Sequence, residues 1–142
     1  MNISIKITSK KPKKILGVLA VNGKICLGNY IESIYIPLDW WTLEQYQQQW
    51  QEGLERIRTH QQSCLVVTIH DPKIRPYIEW WVLYKEDNKI YIRNELFLSD
   101  IYKEYIGTKP FTPETCYDFI RPRSPRILPD GTNIDEWVVT IE

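Results

Sequence analysis

The adjacent tryptophans Trp80 and Trp81 place the tightest limit on how this chain of 142 residues folds. They lie in the segment YIEWWVLYKEDNKIYIRNELFL, with Asp87-Asn88 at its centre. Both of those residues tolerate the left-handed backbone of a tight turn, so the segment is predicted to form a β-hairpin. Neighbouring residues of a strand point to opposite faces. Each face of the hairpin therefore carries a large aromatic side chain. One face is expected in the core, and the other has to be covered by the helix or exposed.

A two-residue turn at this point also fixes the pairing of the two strands. It places Glu86 opposite Lys89 and Tyr84 opposite Tyr91. Opposite charges and aromatic pairs across neighbouring strands stabilise a hairpin, so these pairs favour this register.

A second pair, Trp40-Trp41, precedes the clearest helical pattern in the chain. Thr42 is predicted to cap the helix, with Gln45 three residues further on, which is a capping-box pattern. The apolar residues that follow recur at steps of three and four and form one stripe: Leu43, Tyr46, Trp50, Leu54 and Ile57. Gly53 lies beside this stripe and costs about 1 kcal/mol in helix propensity. Close packing of the helix against a sheet explains it best.

Short strands are predicted on both sides of the helix, at 2–8, 15–21, 24–30, 31–38, 63–69 and 135–142. The run SKKPKK and the pair Asn22-Gly23 are predicted to be turns, the second because both of its residues tolerate positive φ. From about residue 99 the chain is rich in proline. This region is expected to be irregular, with one short helix at SDIYKEYI and a turn at Asp130-Gly131.

These elements predict an α+β fold for a single domain over residues 1–142. The expected architecture is a mainly antiparallel β-sheet of about six or seven strands with one principal α-helix packed on it. A β-sandwich is disfavoured, because the helix needs a sheet face on which to bury its apolar stripe. A chain of this length buries roughly two thirds of the surface that its unfolded form exposes, so it needs no metal or disulfide to fold.

The cysteines indicate a reducing compartment. Cys26, Cys64 and Cys116 are odd in number and far apart, which is typical of free thiols. The basic N-terminus is not followed by the long apolar region of a signal peptide, and the apolar run 15–21 is too short to span a membrane. We therefore expect a cytoplasmic protein without a membrane partner.

The charge is zero overall but unevenly distributed. The first 31 residues carry six lysines and no acidic residue, so residues 32–142 carry a net charge of −6. Such an acidic body is expected to repel nucleic acid and to attract basic proteins. Two basic clusters leave open an alternative, a nucleic-acid-binding accessory protein that touches phosphates. They are formed by Lys10, Lys11, Lys13 and Lys14 and by Arg121, Arg123 and Arg126.

An enzyme is a further alternative, and it depends on His70. This histidine follows a predicted buried strand and precedes Asp71, so it could serve as a general base. The sequence His70-Asp71-Pro72 is also an ordinary way to open a turn, which is the favoured interpretation. His60 is expected on the surface, and Cys64 in a buried strand. The chain lacks the common catalytic and phosphate-binding motifs, so we expect no catalytic residue, cofactor or metal.

Three stretches resemble a known family. They are DWWTLEQYQQQWQEGLERI at 39–57, SCLVVTIHDPKIRPYIEWWVLYKEDNKIYIRNELF at 63–97, and IRPRSPRILPDGTNIDEW at 120–137. Together they cover about half of the chain. Their order, with a W-[ST]-x-x-x-Y-x-x-x-W helix, a Trp-Trp hairpin and a PR…DG…EW tail, is similar to soluble immunity proteins of bacterial contact-dependent growth inhibition systems.

The resemblance implies a protein that performs no chemistry. Such a protein binds the C-terminal toxin domain of a delivered surface protein and blocks it in the cytoplasm. A cytosolic target implies a toxin that is often a nuclease, whose basic groove an acidic inhibitor would complement. The matched aromatic residues are core candidates: Trp41, Tyr46, Trp50 and Trp137. The candidate toxin-binding residues are acidic and lie around the second hairpin: Glu79, Glu86, Asp87, Glu95 and Asp100.

Overall fold

The computed structural model describes residues 2–141 and has seven antiparallel strands and one principal helix. This confirms the predicted α+β class. In chain order the elements are β1 (Ile3–Ile15), β2 (Val18–Leu27), β3 (Tyr30–Pro37), α1 (Leu43–Thr59), β4 (Gln62–Ile69), β5 (Ile78–Glu86), β6 (Lys89–Phe97), α2 (Ser99–Tyr105), a 3-10 turn (Cys116–Phe119) and β7 (Trp137–Thr140).

The strands are divided between two sheets rather than one. Strands β1, β2 and β3 form the first sheet in that order, and β4, β5, β6 and β7 form the second. Strand β3 contacts β4, and one hydrophobic core extends through both sheets. The predicted α+β class and strand number are confirmed, and the single sheet expected is replaced by two sheets. The helix packs on the second sheet, and the first sheet supplies a further cover.

The first hairpin turns at a different place from the one predicted. Asn22 and Gly23 lie inside β2, and the chain reverses at Leu16-Gly17, which have φ angles of 52° and 81°. A Cβ atom at Gly23 would come within 2.6 Å of the carbonyl oxygen of Lys6. Glycine is therefore required here because β1 approaches closely, and not because the backbone turns.

The run SKKPKK, also predicted as a turn, belongs to the long strand β1. Its pairing with β2 shifts register between Ile7 and Ser9 and again between Ser9 and Lys13. Pro12 falls within the second irregularity, on a strand at the edge of its sheet. A residue without an N–H group is tolerated at such a position, so the proline does not end the strand.

The capping box of α1 is confirmed. Thr42 Oγ1 accepts a hydrogen bond from the backbone N–H of Gln45 at 3.2 Å, and Gln45 Oε1 accepts one from the N–H of Thr42 at 2.9 Å. Gly53 lies against the carbonyl oxygen of Cys64, where a Cβ atom has no room. The helix therefore packs closely on β4, as the glycine indicated. The core candidates Trp41, Tyr46 and Trp50 are buried, and Trp137 is half-buried.

Helix α1 also completes the free edge of β4. Gln49 is fully buried, although it lies in the glutamine-rich part of the helix. Its Nε2 donates to the carbonyl of Cys64 at 2.8 Å, and its Oε1 accepts from the N–H of Val66 at 2.7 Å. Trp50 Nε1 donates to the carbonyl of Val66 at 2.6 Å. These bonds satisfy backbone groups that an edge strand would otherwise leave without partners.

Both tryptophans of the second hairpin are fully buried. Trp80 packs against Phe97 and Phe111, with ring centroids 5.3 and 5.7 Å away. Trp81 packs at 5.3 Å against Trp137, which belongs to β7. The predicted register is confirmed, including the pairs of Glu86 with Lys89 and of Tyr84 with Tyr91. Other parts of the chain cover both faces of this hairpin, so the fold is layered.

The proline-rich region contains the expected short helix, α2, and the turn at Asp130-Gly131, where Gly131 has a φ of 86°. The final strand is shorter than predicted: β7 has four residues and pairs with β6. Within residues 2–141, neither helix combines the length and the apolar character that crossing a membrane requires.

Candidate functional site

The five acidic residues predicted as a binding site lie in three separate places. Glu86 and Asp87 are exposed at the tip of the β5–β6 hairpin. Glu79 and Glu95 lie near its other end, on opposite faces, because Glu79 pairs with Leu96 and Glu95 pairs with Trp80. Asp100 is exposed in the first turn of α2. The structure therefore does not bring the five residues together into one patch.

Two of the five carboxylates already lie beside a cation of the same chain. Glu86 lies 3.5 Å from Arg123, and Glu95 lies 3.5 Å from Arg121. Glu95 also accepts a hydrogen bond from the indole Nε1 of Trp80 at 3.2 Å. These contacts give both residues a role within the fold.

Glu79 has a different environment. Its side chain accepts hydrogen bonds from Asn94 Nδ2 at 3.1 Å and from the hydroxyl of Tyr77 at 3.4 Å. Among the residues that the structure describes, it forms no ion pair with a lysine or arginine. Burial raises the pKa of Glu79, and the charge of Glu32 raises it further, against the two hydrogen bonds that lower it. Its negative charge is therefore only partly compensated.

Glu79 lies where β3 crosses the second sheet. At one end of the crossing, Thr68 Oγ1 donates to the carbonyl of Tyr35 at 2.9 Å. At the other end, the rings of Tyr30 and Trp137 lie 4.9 Å apart. We refer to the groove along this crossing as the acidic seam, defined by its carboxylates Glu32, Asp39, Glu79 and Asp135.

The acidic seam contains two pockets. The first has a volume of about 380 Å³ and is lined by His70, Arg75 and Glu79, among others. The second, of about 310 Å³, lies around Trp81 and Trp137. Of the described residues that line these pockets, Arg75 is the one lysine or arginine. A surface of this kind suits a partner that brings positive charge.

His70, the candidate general base, is buried and held by Asp39. Its Nδ1 lies 3.0 Å from Asp39 Oδ1, and the backbone N–H of Asp71 donates to Asp39 Oδ2 at 3.2 Å. Asp71 accepts a hydrogen bond from the N–H of Lys73 at 3.0 Å and opens a turn, as the sequence indicated. In residues 2–141 the His70 ring has no hydrogen bond to a hydroxyl or a thiol.

The second basic cluster, Arg121, Arg123 and Arg126, is occupied within the chain. Arg121 and Arg123 pair with carboxylates, and Arg126 Nε donates to the carbonyl of Ile134 at 3.3 Å. The four lysines of the first cluster are exposed along β1. The contacts of the three arginines therefore give them a role within the fold. Within the described part of the chain, no group of histidine, cysteine and acidic residues could hold a metal ion.

Sequence reasoning missed two parts of the seam. Glu32 and Asp135 lie far apart along the chain and in segments without a charge pattern, so only the crossing of β3 over the second sheet brings them to one pocket. The pairing of His70 with Asp39 was also missed, because the adjacent Asp71 suggested itself as the partner.

Comparisons with known proteins confirm the resemblance to immunity proteins of contact-dependent growth inhibition systems. Residues 36–142 match the family model described as the CdiI N-terminal domain. A curated relative, the immunity protein CdiI of Enterobacter cloacae subsp. cloacae, is 31% identical over 129 residues, which is 89% of this chain and 83% of the relative. A chain in the solved CdiA-CT/CdiI toxin and immunity complex from Enterobacter cloacae superimposes with a TM-score of 0.80 and 28% identity, covering 98% of this chain and 90% of that one.

Proposed function

The chain belongs to the CdiI N-terminal domain family, and we propose that it is an immunity protein that binds and neutralises a toxin. The proposed partner is the C-terminal toxin domain of a cognate contact-dependent growth inhibition exoprotein. The observation that carries the proposal is the structural match over 98% of this chain to a chain in a toxin and immunity complex. A likeness that extends over both sheets supports a shared mode of action as well as a shared fold.

We further propose that the protein acts by binding alone. The His70 ring is hydrogen-bonded to Asp39 and, within residues 2–141, to no hydroxyl or thiol, which supports this view. Inhibition then requires only that the complex stays intact while the toxin is exposed to its substrate. The three free cysteines fit a reducing compartment, so the proposed place of action is the cytoplasm.

The proposed toxin is a nuclease. A nuclease domain must hold phosphates, so its substrate groove is basic. The acidic seam offers complementary charge, and complementary charge both orients a complex and speeds its formation. We place Glu79 at the centre of the interface. The other four predicted residues, Glu86, Asp87, Glu95 and Asp100, lie outside the seam and are proposed to steer the encounter.

Calorimetry with the purified toxin domain encoded by the neighbouring exoprotein gene tests the function. We expect tight binding that weakens as salt is raised, because exposed charges are screened. The matched control is a toxin domain from an unrelated exoprotein of the same class, which should not bind. Absence of binding to the cognate domain would contradict the function, and an affinity that does not change with salt would contradict the electrostatic part alone.

A growth assay tests whether the protein works by binding without chemistry. Cells that express the toxin domain should survive when the protein is present. A folded His70→Asn variant should protect them as well as the wild type does, because the proposed mechanism needs no proton transfer. Loss of protection by a variant that still binds the toxin would instead support a catalytic role.

A further inference from the structure

The pocket around Trp137 in the acidic seam combines aromatic walls with carboxylates. It has a volume of about 310 Å³, at the small end of the range for ligand pockets. Strand β3 supplies one wall, and β5, β6 and the segment leading into β7 supply the others. Its aromatic and polar lining residues are Tyr30, Glu32, Trp81, Asn94, Asp135 and Trp137.

Three aromatic rings are arranged in series along this pocket. Tyr30 and Trp137 have ring centroids 4.9 Å apart with an angle of 34° between their planes. Trp137 and Trp81 follow at 5.3 Å and 56°. Tyr30 and Trp137 are half-buried, so part of each ring remains accessible to another molecule. The faces of aromatic rings carry negative potential and attract cations.

Two carboxylates, Glu32 and Asp135, lie beside these rings. The hydroxyl of Tyr30 donates to Glu32 Oε1 at 2.7 Å, which fixes that carboxylate next to the aromatic wall. The hydrogen bond to Glu32 and the negative charges of Glu32 and Asp135 raise the pKa of Tyr30, together with burial. Within residues 2–141, neither carboxylate forms an ion pair with a lysine or arginine. The pocket is thus negative without an internal counter-charge.

Trp81 provides an independent observation. It lines the pocket and is fully buried, and its indole Nε1–H has no hydrogen-bond acceptor among the described residues. Buried donors without acceptors are rare in folded proteins. The neighbouring Trp80, in contrast, donates to Glu95. A protein segment that enters this pocket carries main-chain carbonyl groups, which are the acceptors that Trp81 lacks.

We propose that this pocket receives an arginine side chain of the partner protein. The inference rests on the proposed function, in which the partner is the toxin domain. A guanidinium group is planar and stacks on aromatic faces, and its fork of donors can serve two carboxylates at once. Stacking on Trp137 and hydrogen bonds to Glu32 and Asp135 use the aromatic and acidic groups of the pocket, and the indole N–H of Trp81 is left for a main-chain carbonyl of the same segment. A basic partner offers such side chains, and nucleic acid is repelled by the same carboxylates.

Calorimetry with the cognate toxin domain tests the proposal on the intact protein. The double variant Glu32→Gln/Asp135→Asn keeps the shape of the pocket and removes both charges. We expect its Kd to rise by about 30-fold or more, in line with the loss of charge-assisted contacts. The matched control, Glu55→Gln/Asp118→Asn, removes two exposed charges outside the pocket and should change the Kd less than about 3-fold.

A small probe separates the pocket from the function. Titration with N-acetyl-arginine amide should shift the Nε1–H signals of Trp81 and Trp137 in an NMR spectrum, whereas the neutral analogue N-acetyl-citrulline amide should not. A double variant that binds the toxin as tightly as the wild type would overturn the proposal and leave the immunity function standing. Shifts with the arginine probe but no binding of the toxin domain would contradict the function and support the pocket. Equal shifts with both probes would overturn the cationic preference.

Discussion

Each face of the β5–β6 hairpin holds a carboxylate, and the two carboxylates differ in whether an arginine of the same chain pairs with them. On one face, the side chain of Glu136 is only 3% exposed and pairs with Arg93 and Arg123, each at 2.7 Å. On the other face, Glu79 has only neutral hydrogen-bond donors. The faces are opposite because Arg93 pairs with Val82, three residues from Glu79 along β5.

The electrostatics of the two residues follow from these contacts. Burial alone would raise the pKa of Glu136, but hydrogen bonds from Arg123 and Arg93, together with their charges, outweigh it and lower the pKa. For Glu79, burial is the largest influence and the pKa is raised. The first carboxylate is compensated within the chain and serves the fold. The second forms no ion pair with a lysine or arginine of the described residues, and the proposed function assigns it to a cation of the partner.

The network around Glu136 also explains part of the sequence resemblance. Arg123 belongs to the PR motif of the tail and Glu136 to its EW motif. Arg93 additionally donates to the carbonyl of Ser124 at 2.7 Å, and Arg123 lies 4.0 Å above the ring of Tyr91. The tail motifs therefore fasten the irregular C-terminal segment to β6. They mark the fold, whereas the proposed interface lies on the opposite face of the hairpin.

The largest effect on stability is expected from removing Glu136, the carboxylate that pairs with arginines of the same chain. Glu136→Ala leaves Arg93, whose side chain is only 4% exposed, without its carboxylate. Removal of one partner from a buried ion pair costs about 3–5 kcal/mol. Urea denaturation should show a loss of this size in the free energy of unfolding. Glu55→Ala, an exposed position on α1, should change it by less than about 0.5 kcal/mol, and an equally small loss for Glu136→Ala would show that the Glu136 ion pairs do not stabilise the fold.

A smaller effect, on binding rather than on stability, is expected from removing the charge of Glu79. Glu79→Gln removes a charge that burial disfavours, so the free energy of unfolding at neutral pH should stay the same or rise. The affinity for the cognate toxin domain should fall by about 10-fold, which corresponds to about 1.4 kcal/mol. Calorimetry and urea denaturation on the same preparation measure both quantities. A variant that loses stability but keeps its affinity would show that Glu79 serves the fold.

Local signals explain what the sequence could predict of these two faces. The capping box at Thr42 and the turn at Asp87-Asn88 depend on residues within a few positions of each other, and both are present in the structure. The turn predicted at Asn22-Gly23 is wrong. Gly23 is needed because the carbonyl oxygen of Lys6, a residue distant in sequence, leaves no room for a Cβ atom. A sequence pattern typical of a turn cannot distinguish a glycine needed for positive φ from a glycine needed for the close approach of another strand.

Long-range pairing accounts for what could not be predicted. Arg93 and Glu136 are 43 residues apart, and no spacing rule joins them. The burial of Gln49 could not be predicted, because its partners, the backbone groups of Cys64 and Val66, are known only once β4 lies beside the helix. Acidic residues of the candidate site could be counted from the sequence. The sequence could not show which of these acidic residues already have an arginine beside them.

The pH dependence of stability gives the smallest and most discriminating effect, because the two carboxylates should change it with opposite signs. The folded state holds Glu136 with a lowered pKa, so its contribution is present above the ordinary value of 4.5 and is lost as pH falls through the lower folded pKa. Glu79 has a raised pKa, so the folded state takes up its proton first and gains relative stability as pH falls through that higher value.

Paired denaturation curves between about pH 7 and pH 3.5 measure this difference directly, since each charge-removing variant cancels one contribution. The stability advantage of the wild type over Glu136→Gln should shrink as the pH falls below 4.5, the ordinary value for a glutamate. Any disadvantage of the wild type relative to Glu79→Gln should shrink over a range that begins above that value, because protonation removes the uncompensated charge. Parallel pH profiles for the two differences would mean that both carboxylates are compensated alike, and the division between a structural face and a binding face would then fail.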